Sequence, residues 1–350
     1  MVDVAVVGLG VMGSAAAYHL ARRGLSVLGL EQFSPAHDRG SSHGLTRVIR
    51  QAYFEHPAYV PLVLRAYELW AELEKECGRE LYRRTGGLMI GRPESAIVRG
   101  SLESARTHGL RHRMLSVGEL RERFPFMRFR DDEVALEEFD AGVLLAEEAV
   151  MAMQELARRH GAELRFGERA KIGELTAAKK TVVTAGAWAA ELLPVLKAER
   201  QVLYWFDPVS DRERIPLFIW DRDGRPFYSI PDVRDHGVKV AFHHGGEITT
   251  PDRLRRDVEA SEVEDMRRRL RETVPVLDGA LRKSAVCLYT NTPDEHFAIG
   301  TLPSGVLLAS PCSGHGFKFA PVVGEILADL ATAGKTRHPI DLFGLDRFQR

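Results

Sequence analysis

The chain has 350 residues, 45% hydrophobic and 28% charged, and its 48 Lys+Arg against 49 Asp+Glu leave a net charge of −1. That length allows two domains with a core each, and the balanced charge gives no global field that would draw nucleic acid or acidic lipid. Three cysteines, Cys77, Cys287 and Cys312, make neither a disulfide framework nor a zinc spacing, and no run approaches the ~20 apolar residues of a membrane span. The odd, sparse cysteine count points to a reducing compartment. Met1-Val2-Asp3 lacks a basic leader and reads as the start of a strand, and Phe348-Gln349-Arg350 is not a peroxisomal address, so a cytoplasmic protein is expected.

Residues 4–7 are an apolar run followed at once by Gly8-Leu9-Gly10-Val11-Met12-Gly13. A helix is expected over 14–23, stopped by Gly24, then a second apolar run over 25–30 closed by Glu31. This is the order of a dinucleotide-binding unit. Gly8 permits the tight turn, Gly10 lets a pyrophosphate approach the backbone, and Gly13 lets the helix lie close on the strand. The helix N-terminus offers unpaired N–H groups to the phosphates, and Glu31 is placed to accept from a ribose. The pattern alone does not choose between NAD and FAD.

A polar loop over 33–44 follows, at the ligand edge of such a sheet. Pro57 and Pro61 suit a helix entry; Leu62, Ala66, Leu69 and Leu73 then share a face, and Gly78 is placed as a C-cap. Thr85-Gly86-Gly87 turns into a strand ending near Ile90, helices are expected over 96–108 and 116–123, and a strand over 134–139. A helix over 147–160 stops at Gly161 before a strand over 162–166. The strand at 181–184 running into Gly186 suggests a return to the dinucleotide domain. Residues 201–244 alternate apolar and polar, with turns at Asp223-Gly224 and Asp235-His236-Gly237, and read as antiparallel sheet. A charged helix over 260–273, strands over 284–289 and 306–309, a glycine-rich loop over 312–319 and a helix to about Ala333 complete the chain. The basic runs 111–113 and 267–271 read as solvated faces. The fold class is α/β plus α+β in a discontinuous two-domain arrangement.

Five blocks occur in order: Gly8–Gly13 with Glu31; Gly40-Ser41-Ser42-His43-Gly44-Leu45-Thr46-Arg47-Val48-Ile49-Arg50; Ala285-Val286-Cys287-Leu288-Tyr289-Thr290; Asp294-Glu295-His296-Phe297; and Gly314-His315-Gly316-Phe317-Lys318. Together they resemble the monomeric sarcosine oxidase and N-methyltryptophan oxidase family, with pipecolate oxidase, within the D-amino-acid oxidase superfamily. The resemblance runs over almost the whole chain and favours FAD over NAD. It implies a Rossmann-like FAD-binding domain (1–80, 146–202 and 285–350) with an inserted, mostly antiparallel-sheet substrate domain (81–145 and 203–284). It further implies a monomer that oxidises a secondary or N-methyl amino acid to an imine and reduces O2 to H2O2. Two alternatives stay open: a dehydrogenase of this fold with another electron acceptor, and a biosynthetic flavin oxidase of a cyclic amine or imine.

On composition Cys287 reads as a buried strand cysteine; the resemblance implies a thioether to the flavin there, with Cys312 as competitor. Arg50 and Lys318 match family positions that bind the substrate carboxylate, as a bidentate fork and a point charge, and Glu55 is expected to hold Arg50. Lys239 stands in an alternating apolar strand, where a buried charge is expensive. It reads either as an edge lysine snorkelling to water or, by resemblance, as the oxygen-activating lysine near flavin N5. His43, Arg47 and His243 are expected around flavin and amine, although backbone-bonded loop and strand roles also suit them. Tyr228 and Tyr289 are expected to line the substrate pocket. Ile219 stands where the sarcosine enzymes carry a methionine beside the substrate side chain, and Phe227 and Ile230 flank Tyr228, so a pocket shaped for sarcosine is not assumed. Cofactor contacts are expected from Gly8, Gly10, Val11, Met12, Gly13, Glu31, Gln32, Ser41, Ser42, His43, Arg47, Cys287, Gly314, His315, Gly316, Phe317 and Lys318. The 168–180 segment is shorter than the family's usual strand pair, which puts adenine contacts there in question. His243, His244, His296 and His315 have no recognised metal-ligand spacing.

Overall fold

The computed structural model of the chain describes residues 1–171 and 178–348. A six-stranded sheet runs in the order Ala298–Thr301, Leu307–Ser310, Ala178–Val183, Val2–Val7, Val27–Glu31, Glu163–Phe166. Its first two strands are antiparallel and the rest parallel. The central strands are covered on both faces, which is why they read as unbroken apolar runs rather than alternating ones. The helix Val11–Arg22 packs against the helices Ala146–Arg159 and Ala320–Ala333. Ala15, Ala16 and Ala17 are fully buried there, and a Cβ on Gly324 would lie 2.6 Å from the Ala15 backbone, so small residues set this close crossing. The helix starts at Val11, three residues before the expected position, because the second half of the glycine fingerprint is already helical.

The second sheet has nine strands. Its longest ladder lies at one end and joins Lys197–Asp207 to Ala280–Asn291, bulged between Trp205 and Phe206. From Lys197–Asp207 the sheet continues through Val238–Phe242, Arg225–Ile230, Phe218–Arg222, Gly87–Gly91, Val134–Glu138 and His112–Leu115, with Ile248–Thr249 paired at one end. The two-residue turn expected at Asp223-Gly224 is present, with φ of +60° and +69°. Phe206, Phe218, Trp220 and Phe227 bury one face beneath Met266 and Leu270 of the helix Ala260–Thr273. Arg269 of the same helix departs from the solvated face expected for 267–271: it is buried and donates to the Arg222 carbonyl.

The domain boundaries expected after 202 and 284 fall inside the ladder's two strands, both of which belong to the second sheet. A third, three-stranded sheet joins Thr46–Ile49, Gly142–Leu145 and Tyr82–Arg84. The strand Thr46–Ile49 has no counterpart in the sequence reading, because Arg47 interrupts its apolar pattern. The expectation for 168–180 falls in part outside the described residues. Among the described residues no helix is long and apolar enough to cross a membrane.

Candidate active site

The glycine fingerprint is built for two purposes. Gly8 takes φ +86°, and a Cβ there would lie 2.8 Å from the Thr184 carbonyl oxygen. A Cβ on Gly13 would lie 1.8 Å from the Gly8 oxygen. Both residues shape the turn and neither lines the cleft beside it. Gly10 does line it, and a Cβ there would meet only the Ser42 hydroxyl, at 3.2 Å. Ser42 Oγ accepts the Val11 N–H at 3.0 Å, at the end of the helix where an anion is favoured. Glu31 accepts the Leu9 N–H at 2.8 Å and the Phe33 N–H at 3.0 Å, and His37 Nε2 lies 3.4 Å away. Burial alone would raise the Glu31 pKa, but His37 and the two backbone donors outweigh it and hold the carboxyl below its ordinary range. His37 was not singled out from the sequence; its only signal was its place in the polar loop.

From this turn a single cleft, about 1470 Å³ with its open mouth included, runs to the second sheet. It is lined successively by Val11, Met12, Glu31 and Gln32, by Ser41, Ser42 and Arg47, and by Cys287, Tyr289 and residues 314–318. Arg50, Ile219, Tyr228 and His243 line the same cleft. Besides Gly8 and Gly13, two further expected residues do not. Lys239 is buried behind the loop, its Nζ donating to the Gly44 and Thr46 carbonyls at 2.9 Å each. His43 is also buried, and its Nε2 has no hydrogen-bond partner among the described residues. Glu147 fixes the loop between them by accepting the Gly44 N–H at 2.7 Å and the Leu45 N–H at 2.9 Å.

The two candidate cysteines have opposite environments. Burial pushes the Cys287 thiol up, but His43 and the charges of Arg47 and Lys239 bring it down to about 7. Arg47 Nη2 approaches the sulfur at 3.7 Å and donates to the Ser41 carbonyl at 2.6 Å. Cys312 is pushed up to about 11 by burial, Ser310 and Thr290 offsetting only part of it. A thiolate is therefore accessible near neutral pH at Cys287 and not at Cys312.

The 314–316 turn is closed by packing. Gly314 has φ +79° and a Cβ there would lie 2.5 Å from the Tyr289 ring; on Gly316 it would lie 1.5 Å from the Pro311 oxygen. His315 Nε2 donates to the Glu295 carbonyl at 3.0 Å, so Nδ1 accepts from the Tyr53 hydroxyl at 2.7 Å. Burial lowers the His315 pKa to about 4 and keeps the ring neutral.

Arg50 is 2% exposed. Its Nη2 lies 2.6 Å from both Glu55 oxygens, its Nη1 donates to the Ala52 carbonyl at 3.1 Å, and its guanidinium sits 4.2 Å from the Tyr53 and Phe54 ring centres. The Lys318 ammonium donates to the His315 carbonyl at 2.8 Å. Burial, then Arg50 beside it, lower the Lys318 pKa to about 7, with Glu55 opposing. The two cations thus sit together, short of one negative charge. An anion docked on them stabilises the ammonium form, so binding above pH 7 takes up a proton. Calorimetric titration with a substrate-like carboxylate at pH 8.5, in two buffers of different ionisation heat, is expected to show uptake of about one proton. Affinity should fall about tenfold per pH unit above pH 7. A pH-independent affinity would remove Lys318 from the clamp.

A helix N-terminus, an acid held by backbone donors and an activated thiol along one cleft suit a flavin dinucleotide. Residues 3–330 match the sequence family "DAO: FAD dependent oxidoreductase". The chain belongs to that family. It is an FAD-dependent oxidoreductase, and the cofactor expected from the glycine fingerprint and the loop blocks is the one the family uses. The chain is 48% identical over 369 residues to a monomeric sarcosine oxidase of Streptomyces avermitilis, covering 97% of this chain and 96% of that protein. It is 35% identical over 371 residues to an N-methyl-L-tryptophan oxidase of Salmonella newport, covering 99% of each. The fold is shared with an L-proline dehydrogenase of P. horikoshii, with a TM-score of 0.84 at 24% identity over 99% of this chain and 98% of that one.

Proposed function

We propose that the protein oxidises a secondary or N-methylated α-amino acid at the carbon next to nitrogen, with O2 as electron acceptor. The observation that carries this reading is the placement of Arg50 and Lys318 in the same cleft as Cys287 and the 314–316 turn. The similarity to a sarcosine oxidase and an N-methyltryptophan oxidase supports it. FAD held by the fingerprint turn, Glu31, Arg47 and the 314–316 turn supplies a two-electron acceptor that O2 can regenerate. The protein's part is placement. Arg50 and Lys318 fix the carboxylate, Tyr228 and Ile219, paired across their hairpin, wall the side chain, and the amine is left facing the cofactor end of the cleft. The amine loses two electrons and two protons to become an imine, O2 gains the same and becomes H2O2, and water hydrolyses the imine. His243, held neutral by burial, adds no positive charge to the cleft. A monomeric, cytoplasmic enzyme fits this reading; light scattering of the purified protein tests the first point.

The deciding experiment is an absorbance trace. Sarcosine, N-methyltryptophan, L-proline and L-pipecolate are added in turn to the anaerobic yellow protein, and air is then admitted. Bleaching by at least one acid followed by rapid return of colour is expected. Bleaching with slow return would make it a dehydrogenase, and no bleaching by any of them would exclude simple amino acids.

We also infer that Cys287, the only one of the two candidates with an accessible thiolate, carries the flavin covalently. Acid-precipitated enzyme is expected to keep its colour in the pellet, C287S to release it, and C312S to keep it. A flavin-bearing peptide containing Cys312 instead would overturn the assignment.

A further inference from the structure

His243 is followed by a second histidine, and the two rings lie 4.3 Å apart between centres. Only one of them has a carboxylate. His244 Nδ1 lies 3.3 Å from Glu199 Oε2, while His243 Nδ1 lies 3.2 Å from the Tyr289 hydroxyl in the cleft wall. Glu199 sits directly opposite Tyr289 in the long ladder, so acid and phenol are held on adjacent strands at one register position. The Glu199 carboxylate also accepts from Gln201 Nε2 at 2.7 Å, the Gly246 N–H at 2.7 Å and Asn291 Nδ2 at 2.5 Å. It is 5% exposed.

The backbone is bent to make this contact. His244 takes φ +64°, a conformation that costs a non-glycine residue of order 1 kcal/mol. A Cβ on Gly246 would lie 1.8 Å from the Arg200 oxygen, so the turn is pressed onto the strand that carries Glu199.

We propose that His244, clasped by Glu199, is a positioning residue that carries the positive charge of the histidine pair and so leaves His243 as a neutral hydrogen-bond partner of Tyr289. Two imidazolium rings in contact would repel each other, and the carboxylate decides which is charged. Of the other titratable groups acting on the pair, Glu295 favours charge on His244, Glu55 favours it on both rings, and His315 and Arg50 disfavour it on His243. The directions agree: burial, the largest single effect on His244, is outweighed by the bond to Glu199 together with the charges of Glu295, Glu199 and Glu55, so His244 is raised above its ordinary range, and His243 is lowered by burial and then by His244. The role deepens the proposed oxidase reading, because a neutral His243 adds no cation to the cleft wall where a secondary amine would lie.

The test is a histidine Cε1–H NMR titration of the holoenzyme from pH 5.5 to 9, without substrate, assigned through backbone connectivities. His244 is expected to titrate above the ordinary imidazole midpoint and His243 not to titrate. In E199Q the His244 midpoint should fall by about one pH unit or more, and E199D should restore most of it. Titration of His243 in place of His244, or a His244 midpoint unmoved in E199Q, would overturn the proposal. If E199Q fails to fold, the wild-type titration alone decides between the two rings. Failure of the oxidase reading is seen separately: no bleaching by amino acids leaves these titrations unchanged.

Discussion

Replacing Arg50 by Met is expected to lower kcat/KM for an amino-acid substrate by roughly two to three and a half orders of magnitude. The estimate follows from the chemistry of the group removed. A buried guanidinium meeting a carboxylate makes charge-assisted, bidentate hydrogen bonds, and losing one partner of such a pair costs about 3–5 kcal/mol, at about 1.4 kcal/mol per factor of ten. The loss should appear mainly in KM, because Lys318 still attracts the carboxylate but as a point charge that does not orient it. The same substitution has a second, separable consequence. Arg50 is the chief reason that the Glu55 carboxyl lies at about 2 despite its burial. In the native protein this depressed pKa contributes stability above the ordinary carboxylate range, and the contribution is lost as pH falls toward 2. In R50M burial acts with less opposition and raises Glu55, so the variant should lose melting temperature most at neutral pH and least near pH 4. R50M/E55Q should recover that stability without recovering activity. Full activity in the double variant would mean that the carboxylate docks elsewhere.

The parts of the site legible in the sequence are those whose constraint is local. Gly8 and Gly13 are required by atoms of one turn and its neighbouring strand, and the fingerprint around them could be read as a unit. Gly316, required by the Pro311 oxygen five residues before it, belongs to the same class. The hairpin at Asp223-Gly224 could be read because two residues with positive φ suit so short a turn. What stayed hidden depends on groups brought together from far apart in the chain. Glu147 holds the N–H groups of Gly44 and Leu45 across about one hundred residues, as does Glu138 for Gln51 and Ala52 across nearly as many. Nothing near either glutamate marks that role. Glu199 and His244 have the same difficulty, since a register of two distant strands sets their meeting. Lys239 is the instructive intermediate. Its alternating apolar neighbours correctly announce burial, but strand periodicity tells only that a side chain shares a face, and it cannot tell what covers that face. The cover is the 44–46 loop, and it places the ammonium behind the cleft rather than in its wall.

That placement makes Lys239 the residue with the most to test. K239M is expected to slow reoxidation of the reduced enzyme by O2 by about 10²–10³-fold while changing anaerobic reduction by substrate no more than about threefold. Charge is the expected cause. Burial, then Arg47 nearby, lower the Lys239 pKa well below its ordinary value, with Cys287 and Glu147 opposing. A cation suppressed in this way is restored when negative charge develops close to it, which is the condition created by one-electron reduction of oxygen. A competing explanation comes from the same geometry. Nζ is also the donor to the Gly44 and Thr46 carbonyls, and removing it leaves two buried acceptors unpaired at about 1–3 kcal/mol each. The loop that carries His43 and Arg47 could then shift. K239Q separates the two, because its amide can donate to a carbonyl but bears no charge. If charge is the cause, K239Q should reoxidise about as slowly as K239M, with reduction intact in both. If K239Q reoxidises like the native enzyme, the lysine is a support for the loop. Equal slowing of both half-reactions in K239M would likewise make it a structural residue and remove it from oxygen chemistry.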